Sequence, residues 1–242
     1  MIAPRRFWTD VTVEPAADGF GLRLDDRPLR TPAHAPLHVP TRALAEAIAA
    51  EWRAVEAELR PEALPFTRAA NVAIDRVAPA PAPVAAHIAA YGGADLICYR
   101  AAEPEALRLR QAEAWDPLLS WSAEALGAPL LPVIGLMPLD QPAASLAALR
   151  AAVNAHGAFG LVALHDLVTL TGSLVIGLAV TRAALGAEDA WERSRIDETW
   201  QAELWGADAE AEAAAALRRA DFLRAVGLHE MLASSAYDAL QG

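Results

Sequence analysis

The stretch Thr41-Arg-Ala-Leu44-Ala-Glu-Ala-Ile48-Ala-Ala-Glu-Trp52-Arg-Ala-Val55-Glu-Ala-Glu-Leu59-Arg-Pro61 marks the point where the chain changes period. Leu44, Ile48, Trp52, Val55 and Leu59 recur every three or four residues, which is one face of a helix. Thr41 is a suitable N-cap, and Pro61 closes the run. Upstream the period is two. Val11-Thr12-Val13 and Phe20-Gly21-Leu22-Arg23-Leu24 alternate on either side of a turn marked by Pro15 and Asp18-Gly19, and residues 29–31 and 37–39 read as further short strands. A sheet this small does not stand well alone, so it must pack on the first helix or on a partner. The expected fold is α+β: a small N-terminal antiparallel β-domain over residues 1–40, followed by a larger, mainly α-helical domain over residues 41–242.

Downstream, a helix is expected over 66–77, a stiff extended Ala-Pro connector over 78–83, and a short helix over 84–91. Asp116-Pro117 predicts a helix start or a kink, since Asp caps well and proline needs no N–H in the first turn. That helix should end at Leu126, with Gly127 beyond it. Residues 129–142 read as a long loop, and helices are expected near 143–156, 158–171, 173–186, 188–205 and 208–226.

All twenty basic residues are arginine. Without lysine there is no Walker A loop and no Schiff-base amine. Net charge is −11, which disfavours nucleic acid as a partner. Residues 187–217 hold nine acids against Arg193 and Arg195. That run is a solvated helix face or a surface that steers a basic partner. The single cysteine, Cys98, permits no intramolecular disulfide and suits a small buried apolar role. No basic–apolar–small signal pattern is present, so a cytoplasmic location is expected. The uncharged run 167–181 is shorter than the ~20 residues of a membrane span, so no membrane insertion is expected.

Catalytic patterns are sparse. No His-Glu-x-x-His pair stands among the six histidines, no Gly-x-Ser-x-Gly elbow exists, and no Gly-x-Gly-x-x-Gly follows a strand. No metal and no cofactor are expected. One dense block does stand out. It runs Gly92-Gly93-Ala94-Asp95-Leu96-Ile97-Cys98-Tyr99-Arg100 and continues to Trp115-Asp116-Pro117. An enzyme reading, a small metal-independent hydrolase or transferase, would place Asp95, Tyr99, Arg100 and Asp116 around one pocket.

The same block resembles the assembly chaperones of the F-type ATP synthase that act on the alpha subunit of its catalytic head. That family shares the Ile-Cys-Tyr-Arg run and, about fifteen residues later, Trp-Asp-Pro. The resemblance extends to Arg5-Arg6-Phe7-Trp8, Leu29-Arg30-Thr31-Pro32, Ala50-Glu51-Trp52, Ser194-Arg195-Ile196-Asp197-Glu198 and Leu204-Trp205-Gly206. It implies a non-enzymatic chaperone that transiently binds the free alpha subunit until the beta subunit replaces it. A monomer is expected. A permanent structural partner is the remaining alternative.

For contact residues, the 188–205 helix is the leading candidate. Ile196, Trp200 and Leu204 form one apolar line, and Trp191, Glu198 and Trp205 form a second, nearly opposite it. Such a helix is either sandwiched in a bundle or turns its second line to a client. The resemblance implies that an acid here matters for function, either Asp197 or Glu198, and the seven-residue spacing favours Glu198. Trp52 sits on the apolar stripe of its helix and Glu51 beside it, so a core role and a contact role both remain open for this pair.

Overall fold

The computed structural model describes residues 5–206 and 208–234. The chain divides into two compact units, Met1–Pro81 with Gly157–Ala163 and Gly227–Gly242, and Ala82–His156 with Leu164–Val226.

The first unit is built on β1 (Val11–Ala16) and β2 (Gly19–Leu24), an antiparallel hairpin that pairs Val11 with Leu24 and Ala16 with Gly19. β3 (Arg27–Pro28) pairs with the end of β2, and β4 (His38–Val39) with its start, both antiparallel. β2 is therefore central. Gly19 has φ +133°, and a Cβ there would meet the Val39 carbonyl at 2.2 Å, so only glycine fits. The third strand lies earlier than the expected 29–31. The chain after Leu29 instead makes a tight loop, closed by Thr31 N–H on the Ala35 carbonyl and an Arg30–Pro36 bridge.

α1 (Arg42–Ala54) covers this sheet with Leu44, Ile48 and Trp52, and Thr41 caps it by accepting from the Leu44 N–H at 3.2 Å. Its periodic pattern runs on to Leu59, but the helix stops at Ala54. The N-terminal segment claims the backbone of residues 55–57. Arg6 donates its N–H to the Ala57 carbonyl and its guanidinium to the Val55 carbonyl at 2.7 Å. α2 (Pro65–Val72) continues through a π-helical turn, Ala73–Val77. The 40/41 division separates strand from helix by type. By compactness α1 and α2 go with the sheet, because the stripe of α1 is what covers it.

The second unit is helical. α3 (Pro81–Ala90) begins inside the stretch expected as an extended connector. Pro81 and Pro83 fall in the first turn, where the missing N–H groups have no intrahelical partner to lose. α4 (Glu105–Leu126) is 22 residues long and packs against α5 (Ala143–Asn154), α7 (Leu174–Thr181) and α9 (Ile196–Trp205). It ends as expected at Gly127, φ +64°. Pro117 does not start this helix but sits inside it. β5 (Tyr99–Arg100) and β6 (Val133–Ile134) form a two-stranded parallel sheet.

α6 (Ala158–Thr171) contributes to both units, as does α10 (Ala209–Ala233). In α7, Leu174 through Val180 are all buried. A Cβ on Gly177 would lie 2.7 Å from Val168 Cγ2, so glycine permits the close approach of α6 and α7. The uncharged run 167–181 is thus core. Among the described residues no helix is long and apolar enough to cross a membrane. α8 (Ala187–Ser194) and α9 are separate helices, where one continuous helix over 188–205 was expected. Arg195, at φ −116° and ψ 17°, breaks them.

Candidate functional site

The dense block 92–117 folds into a latch. Asp95 is fully buried and caps two elements at once. Its Oδ1 accepts from the Ile97 N–H at 3.2 Å, and its Oδ2 from the Val175 N–H at 3.0 Å, in the first turn of α7. Burial pushes this carboxyl up to about 6, against the opposing pull of Ser173 and the backbone donors. Cys98 is buried beside it. Burial, reinforced by the Asp95 charge, pushes its thiol up to about 12, which leaves no nucleophilic thiolate near neutral pH.

Arg100 is also buried. Its guanidinium donates to the Ile97 carbonyl, pairs with Asp116 Oδ1 at 2.6 Å and lies 5.0 Å over the Trp115 ring. Trp115 Nε1 donates to the Arg193 carbonyl at 2.8 Å, and Arg193 returns a bond to the Ala114 carbonyl at 2.7 Å. Asp116 is thus engaged by Arg100, and the Ala114 carbonyl in the turn before Pro117 takes an outside donor.

A residue not anticipated from the sequence completes the latch. Gln111, 1% exposed, accepts from the Ala101 N–H at 2.7 Å and donates to Asp197 Oδ1 at 2.6 Å. Its only signal was position, one helical turn before Trp115 on the same face. Gln111 thus fixes the base of α9 to α4, and Trp115 with Arg193 fixes the end of α8 to it.

Asp197 and Glu198 therefore differ in kind. Asp197 is half-buried and held by Gln111. Glu198 is exposed and meets Arg195 at 2.8 Å, a surface pair of small energetic weight. Beyond them α9 leaves the core, with Leu204 56% and Trp205 82% exposed. Trp191 does not share that face. It is buried, 5.6 Å from the Phe222 ring, because the break at Arg195 destroys the seven-residue line through Glu198 and Trp205.

Glu51 and Trp52 meet at Thr67 in the first unit. Glu51 accepts from the Phe66 and Thr67 N–H groups at 2.6 and 2.9 Å and from the Thr67 hydroxyl at 2.7 Å, so it caps α2 from outside. Burial raises its carboxyl above the usual range despite those donors. Trp52 Nε1 donates to Thr67 Oγ1 at 3.0 Å. Adjacent residues on α1 thus hold the start of α2.

The four side chains of the enzyme reading do not converge on a cavity. Asp95 caps, Arg100 and Asp116 pair, and Tyr99 lies on β5. The open depressions at Arg5–Trp8 with Glu56–Glu58, and at Glu51 with residues 54–63, include none of them. Among the described residues no group of three or more His, Cys, Asp or Glu is placed to hold a metal ion.

The model of a family described as ATP12 chaperone protein matches residues 5–123. The crystal structure of Atp12 from Paracoccus denitrificans is similar at 51% identity and TM-score 0.91, over 94% of this chain and 98% of that one. An Asp-to-Lys mutant of the same Paracoccus protein matches at 50% identity and TM-score 0.91, over 94% and 97%. The Atu1473 protein of Agrobacterium tumefaciens matches at 41% identity and TM-score 0.90, over 95% of this chain and 86% of that one.

Proposed function

The chain belongs to the ATP12 chaperone family of ATP synthase assembly factors, and from that premise we propose that it binds the free alpha subunit of the catalytic head. It acts as a cytoplasmic monomer and shields the subunit interface of its client until the beta subunit takes its place. An unassembled subunit exposes an obligate interface of ~2,000 Å² or more, and such surface aggregates. Exchange of one cover for another needs no nucleotide hydrolysis, which agrees with a sequence that has no lysine for a phosphate loop.

The observation that carries this reading is the exposed part of α9, where Glu198 in the first turn and Leu204 and Trp205 at the far end face solvent on a helix whose base is bolted to α4. A rigid mount for exposed aromatic and charged side chains is what a binding face requires. The direct test is a pull-down of purified alpha subunit, with and without beta subunit. Capture that beta abolishes is expected. Capture that beta leaves untouched would mean a permanent partner, and none at all would end the proposal.

Glu198 and Asp197 give a sharper comparison. Glu198→Lys should weaken capture of the alpha subunit and leave the melting temperature within about 2 °C, since only a surface pair is lost. Asp197→Lys should lower stability by about 1.5–3 kcal/mol, because it strips Gln111 of a charged acceptor. Paired capture assays and thermal melts read both effects. A Glu198→Lys protein that melts like a damaged fold would make Glu198 structural.

A further inference from the structure

Ten large apolar side chains are exposed among the described residues, and four of them, Leu131, Ile134, Leu136 and Met137, fall within seven positions. Leu136 and Met137 are 91% and 77% exposed. No charged residue occurs between Gly127 and Leu139. A slack loop would fold such side chains onto itself, but this one is held open. Ser122 Oγ donates to the Ala128 carbonyl at 2.9 Å, and Ser145 Oγ to the Pro129 carbonyl at 2.6 Å. The Gln141 amide binds both the N–H and the carbonyl of Leu131, at 2.8 and 3.0 Å. β6 then pairs with β5, and the Gly135 N–H donates to the Arg100 carbonyl at 2.8 Å. Arg100 is the residue fixed by Asp116 and Trp115, so the latch is also the platform under this loop.

We infer that residues 131–137 are a second client contact, which inserts Leu136 and Met137 into an uncharged apolar depression on the unassembled subunit. The inference rests on the function proposed above. Charge selects this occupant. The centre of an obligate subunit interface is apolar and depleted of charge, and methionine is enriched there. The loop has that composition, whereas the acid-bearing face of α9 does not. A bilayer is a poorer match. The loop has no flanking Lys or Arg, the Arg100 beneath it is paired with Asp116, and a net charge of −11 is repelled by anionic headgroups. A second copy is poorer still. A stable dimer needs ~800 Å² from each partner, contributed by about 20–30 residues, and this patch is seven residues long. As one of two contacts on the same client it needs only to add to the other.

Leu136→Cys provides the test. Cys98 is buried, so a benzophenone maleimide labels position 136 alone. Irradiation with purified alpha subunit should give a covalent adduct that added beta subunit suppresses. Leu136→Asp with Met137→Asp should weaken capture about tenfold, with an unchanged thermal melt. Undiminished capture by that double variant, or adducts confined to a second copy of the chain or to phosphatidylcholine or phosphatidylglycerol vesicles, would overturn the loop contact and leave the function standing. Failure of the unsubstituted protein to capture the alpha subunit would overturn both.

Discussion

Trp52→Arg is expected to unfold the first unit, with a loss of at least ~4 kcal/mol. Trp52 is 7% exposed, its ring lies 5.0 Å from that of Trp8, and its Nε1 holds Thr67. Its backbone carbonyl also accepts from Trp8 Nε1 at 3.3 Å. Loss of a buried tryptophan alone costs about 3–5 kcal/mol. The guanidinium that replaces it has no free carboxylate to meet, because the adjacent Glu51 is already engaged by three donors. Against a total stability of about 5–15 kcal/mol, such a variant should accumulate poorly and lose its cooperative near-ultraviolet melt. Trp52→Phe, which keeps a ring and drops the N–H, should cost only about 1–3 kcal/mol. If the arginine variant melted normally yet failed to capture the alpha subunit, Trp52 would belong to the interface instead.

The sequence carries what depends on one-sided burial and loses what depends on who else arrives. The stripe of α1 was readable because Leu44, Ile48 and Trp52 all face one sheet. Its cap at Thr41 and the turn-off of α4 at Gly127 were readable because each is a local hydrogen-bond or backbone problem with few solutions. The true end of α1 was not, since Arg6 imposes it from 49 residues away. Pro117 allows a helix start or a kink in its local grammar, and the start is ruled out because α4 already runs through it from Glu105 and the Asp116 that would cap a new helix is engaged by Arg100. The break at Arg195 has no glycine or proline to announce it.

Residue roles divide in the same way. Glu51, an acid flanking the apolar stripe, is indistinguishable in sequence from a contact residue until α2 is seen to bring its unpaired N–H groups there. Glu198 and Asp197 are adjacent acids that only the position of Gln111 tells apart. The Ile-Cys-Tyr-Arg and Trp-Asp-Pro pieces were legible as a costly shape. That shape proves to be a joint between β5, α4 and the end of α8, with Arg100, Trp115 and Asp116 all engaged in it and none aimed at a cavity.

Asp95→Ala should cost about 2–5 kcal/mol at pH 4.5, because it strands the Ile97 and Val175 N–H groups in a dry interior. The cost should shrink as pH rises. The folded carboxyl is pushed up to about 6, above its ordinary 3.8. Between those values the folded state holds a proton that the unfolded chain has released, so the stability of the unsubstituted protein falls as pH rises through that window. A displacement of that size corresponds to on the order of 3 kcal/mol. Alanine cannot titrate, so the stability of the variant lacks this dependence. The gap between the two proteins should therefore be widest below about pH 4 and narrow toward pH 7. Urea melts of both proteins at about pH 4.5, 6 and 7.5 measure the gap directly, with every other titrating group cancelled in the difference. A gap that widened with pH would mean that the donors around Asp95 outweigh its burial, and that the ionised form is the one the fold prefers.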